Sequence, residues 1–204
     1  MRILFVATVL LALSACATIR QTEAPNAPAD WRSSASTSDA KRLREWRSAF
    51  ADALEKARAA GHGAEIAAEG RLLDPDAAIP GSLANGDYRC RIIKLGARSP
   101  GLLDYVAYPA FTCRVSQYGA VQYFAKLSGS QRPMGKIYPA DAMRGVFLGM
   151  LVLGDEQRPM RYGSDPDRAL AGWVERVEPA KWRIVLPAPH FESLTDVIEL
   201  IPTP

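Results

Sequence analysis

From Tyr88 to Ile201 the chain is written mostly in a period of two, and this alternation limits its fold more than any other feature. Tyr88, Cys90 and Ile92 alternate with Arg89 and Arg91, and Phe111, Cys113 and Val115 alternate with Thr112, Arg114 and Ser116. Such alternation marks a strand with one face buried and the other solvated. Further strands are predicted at Val121–Leu127, Val146–Leu153, Gly172–Val177, Trp182–Leu186 and Asp196–Ile201. Val146–Leu153 is apolar throughout, so both of its faces must be covered. A hairpin turns at Glu178-Pro179-Ala180-Lys181. Glu175 opposite Arg183 sets its register, because the neighbouring one opposes Arg176 to Arg183. Short, regularly spaced strands with turn signals between them predict an antiparallel β-barrel or sandwich-like sheet of six to eight strands.

The cover for this sheet precedes it in the chain. Ser36 and Asp39 have capping-box spacing, and Leu43, Trp46, Phe50, Leu54 and Ala57 then form one apolar stripe that ends at Gly61 and Gly63. A second, shorter helix is predicted from Ala64 to Leu73, with Ile66, Ala67, Gly70 and Leu73 inward. The class is therefore α+β, with an N-terminal helical pair (39–73) packed on a β region (86–201) in a single globular domain, 39–204.

The N-terminus sets the compartment. Arg2, an apolar run from Ile3 to Leu13 and the ending Leu13-Ser14-Ala15-Cys16 make a secretory signal that is too short to span a bilayer. The ending resembles a bacterial lipobox, so residues 1–15 read as a lipoprotein signal peptide and Cys16 as the acylated new N-terminus. Residues 16–38, rich in Ala, Pro, Ser and Thr, read as a lipidated tether, unless Trp31 packs onto the domain and ends it sooner. Ala17 after the cysteine resembles lipoproteins sent to the outer membrane. The expected location is thus the cell envelope, facing the periplasm, with the membrane as one partner.

Once Cys16 carries lipid, Cys90 and Cys113 remain. An even pair in an oxidising compartment reads first as a disulfide, with free buried cysteines as the alternative. A hairpin with Cys90 opposite Cys113 turns at Pro100-Gly101, and Pro109 should break or bulge one strand. Zinc is a poor rival, since neither His62 nor His190 neighbours a cysteine. The 25 Lys and Arg against 22 Asp and Glu are spread along the chain, which argues against nucleic acid as a partner.

Ser128-Gly129-Ser130-Gln131-Arg132-Pro133 is the candidate binding loop. Gly129 permits a tight turn, Pro133 stiffens the exit, and Ser128, Ser130, Gln131 and Arg132 are expected to be free to donate. Candidate acids are Asp141, Asp155, Glu156, Asp165 and Asp167; Asp165-Pro166-Asp167 reads first as turn chemistry and only distantly as calcium ligation. His190, between Pro189 and Phe191, reads as structural or exposed before it reads as a base. There is no Gly-x-Ser-x-Gly elbow, phosphate-cradling loop, haem motif or dinucleotide fingerprint, so no cofactor, metal or catalytic residue is assigned.

Several blocks in order carry a family resemblance. They are Gly86-Asp87-Tyr88-Arg89-Cys90-Arg91, Tyr108-Pro109-Ala110-Phe111-Thr112-Cys113, the 128–133 loop, Phe147-Leu148-Gly149, Ala171-Gly172-Trp173-Val174-Glu175-Arg176 and Trp182-Arg183-Ile184-Val185-Leu186-Pro187. From about Trp31 to Ile201 they resemble the exported bacterial proteins grouped as domain of unknown function 4893. The resemblance implies an envelope protein and transfers no catalytic residue. In architecture the chain is also similar to periplasmic lysozyme inhibitors, small and often disulfide-bonded β-barrels that present a Ser-Gly loop to an enzyme cleft. Ser128-Gly129-Ser130 carries that likeness, while the N-terminal helices and extra length depart from it.

Two function classes follow. One is a non-enzymatic binding or inhibitory module that meets an envelope protein or glycan. If that partner is a lysozyme-like glycosidase, Arg132 and a Ser hydroxyl are expected to meet its paired carboxylates. The alternative is an envelope hydrolase acting on cell-wall or glycan material with Asp or Glu and His190. The lack of a catalytic constellation favours the first.

Overall fold

The computed structural model describes residues 29–204. The stretch predicted as a signal peptide, Cys16 and the predicted tether as far as residue 28 lie outside the described residues. Nine antiparallel strands follow a set of short helices: β1 (Gly86–Ala97), β2 (Tyr105–Ala107), β3 (Phe111–Tyr118), β4 (Val121–Lys126), β5 (Gln131–Pro139), β6 (Arg144–Leu153), β7 (Ala169–Glu178), β8 (Lys181–Pro187) and β9 (Ser193–Pro202). Eight of them close into a barrel, because β1 pairs with both β3 and β9; β2 is an extra strand on the second half of β1.

Inward positions form the core: Tyr88, Cys90 and Ile92 of β1 meet Phe124, Phe147, Val174, Trp182, Ile184, Ile198 and Leu200. Phe124 and Phe147 touch edge to face, with ring centroids 5.8 Å apart. Gly135 stands opposite Gly149 because a Cβ on Gly135 would lie only 2.3 Å from Gly149 Cα. On β6 Phe147 and Leu151 face inward while Val146 and Leu148 face the helices, so both faces are covered as expected.

The helices differ from the predicted pair. α1 (Trp31–Ser34), α2 (Thr37–Arg44), α3 (Trp46–Ala59) and α4 (Gly63–Ala68) are followed by a 3-10 turn, Gly70–Leu73. Asp39 N–H donates to Ser36 Oγ at 3.1 Å, the predicted cap. The single stripe is broken at Glu45, between α2 and α3. The break lets Leu43 join Trp31, Val146 and Leu148 while Trp46, Phe50 and Leu54 cover Ile93, Leu95 and Val197. One straight helix could not reach both patches of a curved wall. Gly70, at φ +53°, similarly ends α4 and turns Leu72 and Leu73 inward, leaving Ala67 exposed. Residues 29–38, whose composition resembles a tether, are folded onto the domain: Trp31 is buried edge-on against Trp173, 6.1 Å between centroids.

Glu175 pairs with Arg183 as the hairpin charges require. Both are fully buried under the helices. Arg183 also donates to Leu72 O (2.8 Å) and Asp74 O (2.7 Å), and Arg144 Nε donates to Glu175 Oε1 (2.6 Å). This network pins the 3-10 turn to the outer wall.

Cys90 and Cys113 form a disulfide. Its register differs from the expected one. Cys90 faces Phe111 and Cys113 faces Tyr88, so the bond runs diagonally with the Cα atoms 5.9 Å apart. A slip of two residues keeps both side chains on the inward face, which is why alternation alone could not detect it. Pro109 breaks the strand, and β2 and β3 hold β1 in different registers on its two sides.

Candidate functional site

The strands end in two unlike openings. At the base, the turns after β3, β5 and β7 are tight, and the segment entering β1 crosses the opening with Leu83 in the core. Gln122 Nε2 holds this segment through Leu83 O (2.9 Å) and Asn85 Oδ1 (2.8 Å). At the mouth, where β1 ends and β9 begins, the connections 98–104, 127–130, 154–168 and 188–192 gather.

The inward phase changes character there. After Tyr88, Cys90 and Ile92 the next inward residue of β1 is Lys94; on β9 Leu200 and Ile198 give way to Asp196, and on β4 Phe124 gives way to Lys126. Lys94 Nζ donates to Asp196 Oδ2 at 3.1 Å and lies 3.2 Å from Glu192 Oε2. Burial pulls this amine down, but the two carboxylates outweigh it and hold it above the usual lysine value. Gln131 Nε2 donates to Glu192 Oε1 at 3.2 Å.

Lys126 is in a different position. It is only 2% exposed, and no carboxylate pairs with it among the described residues. Its Nζ donates to Ser128 O (2.7 Å) and Gln131 O (2.9 Å) and sits 3.6 Å from the centroid of the Phe111 ring. Burial, helped by the charges of Arg132 and Lys94, lowers its pKa to about 8. Ile92, Lys94, Tyr108, Phe111, Lys126 and Gln131 help to line a mouth cavity of about 210 Å³. Beside them, Ala188 (φ +46°) and Glu192 (φ +69°) hold left-handed backbone that non-glycine residues rarely adopt. Such strain clusters at functional sites.

The predicted loop 128–133 borders this mouth, but its parts divide. Gln131, Arg132 and Pro133 already belong to β5, paired there with β6 alone; β4 joins only from Met134, so the N–H that Pro133 lacks is not missed. Arg132 is not free to donate outward. Its guanidinium is taken by Gly129 O (2.8 Å), Gly154 O (2.7 Å) and Glu156 O (2.5 Å). Gln131 is engaged with Glu192, as described. The projecting tip is therefore Leu127–Ser130, all exposed, and the Ser128 and Ser130 hydroxyls make no hydrogen bond among the described residues. Gly129 has φ +86°, and a Cβ there would lie 2.7 Å from Lys126 Nζ.

The acids mostly shape turns. Asp141 Oδ1 accepts from Met143 N–H at the base; Asp165 Oδ1 accepts from Asp167 N–H; Glu156 accepts from Leu153 N–H and from Arg168. Asp155 lies in the same exposed mouth connection. His190 Nδ1 is 3.1 Å from Asp167 Oδ1, both about half exposed, and no hydroxyl or thiol hydrogen-bonds to the ring among the described residues. At the base, a cavity of about 350 Å³ has mainly apolar walls and Trp182, whose indole N–H lacks an acceptor among the described residues. Sequence reasoning missed Lys94, Lys126, Glu192 and Asp196. The signal was a charge falling on the inward phase, at Lys94 two residues beyond Ile92 and at Asp196 two before Ile198.

Neither the curated proteins nor the solved structures include a match to this chain. A family model does match, over residues 31–200, which takes in the helices, the disulfide and the whole barrel except the last residues of β9. By that match the chain belongs to the family described as domain of unknown function (DUF4893).

Proposed function

We propose that this protein is a non-enzymatic binding module of the cell envelope, anchored to a membrane through acylated Cys16, with the barrel mouth and its Leu127–Ser130 tip as the working surface. One observation carries the reading. Two cations, Lys126 and Arg132, tie the backbone carbonyls around the exposed tip, and the Ser128 and Ser130 hydroxyls make no hydrogen bond among the described residues. A mere connection does not need a buried ammonium without a counter-ion, since such a charge is expensive to desolvate. A tip held in this way loses little entropy when a partner docks. The anchor rests on the Leu13-Ser14-Ala15-Cys16 ending, and the Cys90–Cys113 disulfide suits an oxidising compartment. The partner is an envelope protein or glycan presenting a concave polar surface.

Photo-crosslinking in envelope membranes tests this. A crosslinker in place of Ser128 should give a discrete adduct, and one in place of Gly119 at the base should not. Identical adducts from both positions, or none from Ser128, would overturn the reading. Titration against muramidases tests the narrower inhibitor version: no inhibition at micromolar protein removes it and leaves the binding module standing.

A further inference from the structure

We infer that the mouth cavity binds a small organic monocarboxylate, its carboxylate held between Lys94 and Lys126 and its apolar body against Tyr108, Phe111 and Ile92. The inference rests on the mouth being a binding surface and names a ligand class for it.

Charge is the first reason. Two ammonium groups line one cavity, and both are buried to more than nine-tenths. Lys94 is supplied with carboxylates by Asp196 and Glu192, whereas Lys126 has only two carbonyl dipoles and a ring face. A buried cation without a counter-ion is a place where an entering anion gains a charge-assisted bond and removes a desolvation penalty. Lys126 ties the tip through two carbonyl acceptors, which leaves a third donor that no oxygen accepts among the described residues, and a carboxylate oxygen can reach it beside the Phe111 ring without breaking those ties.

The walls are the second reason. Tyr108, Phe111 and Ile92 offer apolar surface in the lining, and about 210 Å³ admits only a small molecule. The third reason is Glu192. It is the cavity's own acid, 40% exposed at its side chain and carried on left-handed backbone, and it already sets a carboxylate on Lys94. An incoming carboxylate can replace it there, since the Glu192 side chain has solvent to swing into, whereas Asp196 is enclosed and stays on Lys94 as the fixed counter-ion. With Glu192 turned into solvent, two ammonium groups face Asp196 alone, so the set takes up one further negative charge, while a cation would meet two amines.

Benzoate, with benzamide as its uncharged isostere, tests the inference on the purified full-length protein in detergent. Lysine side-chain NMR should show saturable binding of benzoate but not of benzamide. At saturation the Lys126 pKa should climb from about 8 toward the ordinary lysine value. Lys126→Met should weaken benzoate binding about tenfold or more, and Lys126→Arg should restore part of it. The wild-type pKa readout keeps the test decisive even if a variant folds poorly. Equal binding of the two probes, no saturation by about 10 mM benzoate, or an unmoved Lys126 pKa at saturation would overturn the inference. The Ser128 crosslink lies outside the cavity, so its loss with benzoate binding intact would remove the partner reading alone.

Discussion

The base and the mouth of the barrel are ends of the same eight strands, yet they solve closure in opposite ways. At the base Leu83 is laid across the barrel with Trp182 beneath, the turns are short, and the cavity of about 350 Å³ that remains has mainly apolar walls. At the mouth the inward positions carry Lys94, Lys126, Gln131 and Asp196, and longer connections surround them. Hydrophobic burial stabilises the base directly, whereas the mouth holds ionised groups that cost desolvation and must be held by hydrogen bonds. Stability is thus stored at the base, and some of it is given up at the mouth for a shaped polar surface.

The heaviest loss is expected on the outer wall near the base, where β7 and β8 meet. Arg183→Met should destabilise by about 3–5 kcal/mol in denaturant melts, because Glu175 loses its main partner in a buried site. Adding Glu175→Met should recover part of that loss. A double variant no better than the single would mean that the carbonyl contacts to Leu72 and Asp74, not the ion pair, carry the energy.

Removing the disulfide comes next. It closes a separation of 23 residues, which corresponds to roughly 3 kcal/mol in the chain-entropy model. Cys90→Ala with Cys113→Ala should lower Tm and, in hydrogen exchange, speed the amides of the mouth half of β3 more than those of the β7–β8 hairpin. Uniform acceleration would erase the distinction between the ends.

Loosening the tip should cost less. Gly129→Ala meets both a positive φ and the Lys126 ammonium, and Arg132→Ala frees three carbonyls. Each should cost about 1–2 kcal/mol by thermal melt, with increased exchange confined to the neighbourhood of residues 127–132 and 154–156. The base should be untouched.

Lys126→Met sharpens the contrast by sign. At pH 7 its stability should lie within about 1 kcal/mol of wild type, because the desolvation penalty and the two hydrogen bonds disappear together. Since folding lowers the Lys126 pKa to about 8, the unfolded chain binds more protons between that value and the ordinary lysine pKa. Wild-type stability relative to Lys126→Met should therefore rise as pH increases through about 8 and level off near the unfolded value. Urea melts of both proteins across this range read it directly; a difference that stays flat would show that Lys126 is not desolvated.

The smallest effect is reserved for His190. Its pairing with Asp167 is exposed, so His190→Ala should change stability by less than about 1 kcal/mol and leave Ser128 crosslinking intact. Loss of the crosslink would draw His190 into the working surface.

Read residue by residue, the sequence determined a good deal. Period-two alternation located most strands, the doubly apolar Val146–Leu153 announced a strand covered on both faces, Glu175 and Arg183 specified a hairpin register, and the two cysteines identified their bond. These are local properties, set by neighbours along one strand or across one turn. The rest needed three dimensions. Alternation repeats every two residues and so cannot detect a two-residue slip, which is why Cys90 came to face Phe111. A continuous helical stripe says nothing of the curvature beneath it, and only the barrel wall required the break at Glu45. Arg132 looked like a donor to the outside because its acceptors, Gly154 and Glu156, come from a connection distant in the chain. Lys94, Lys126, Glu192 and Asp196 lie on β1, β4, the 188–192 connection and β9, and only barrel closure, which pairs β1 with β9, turns four scattered charges into one site.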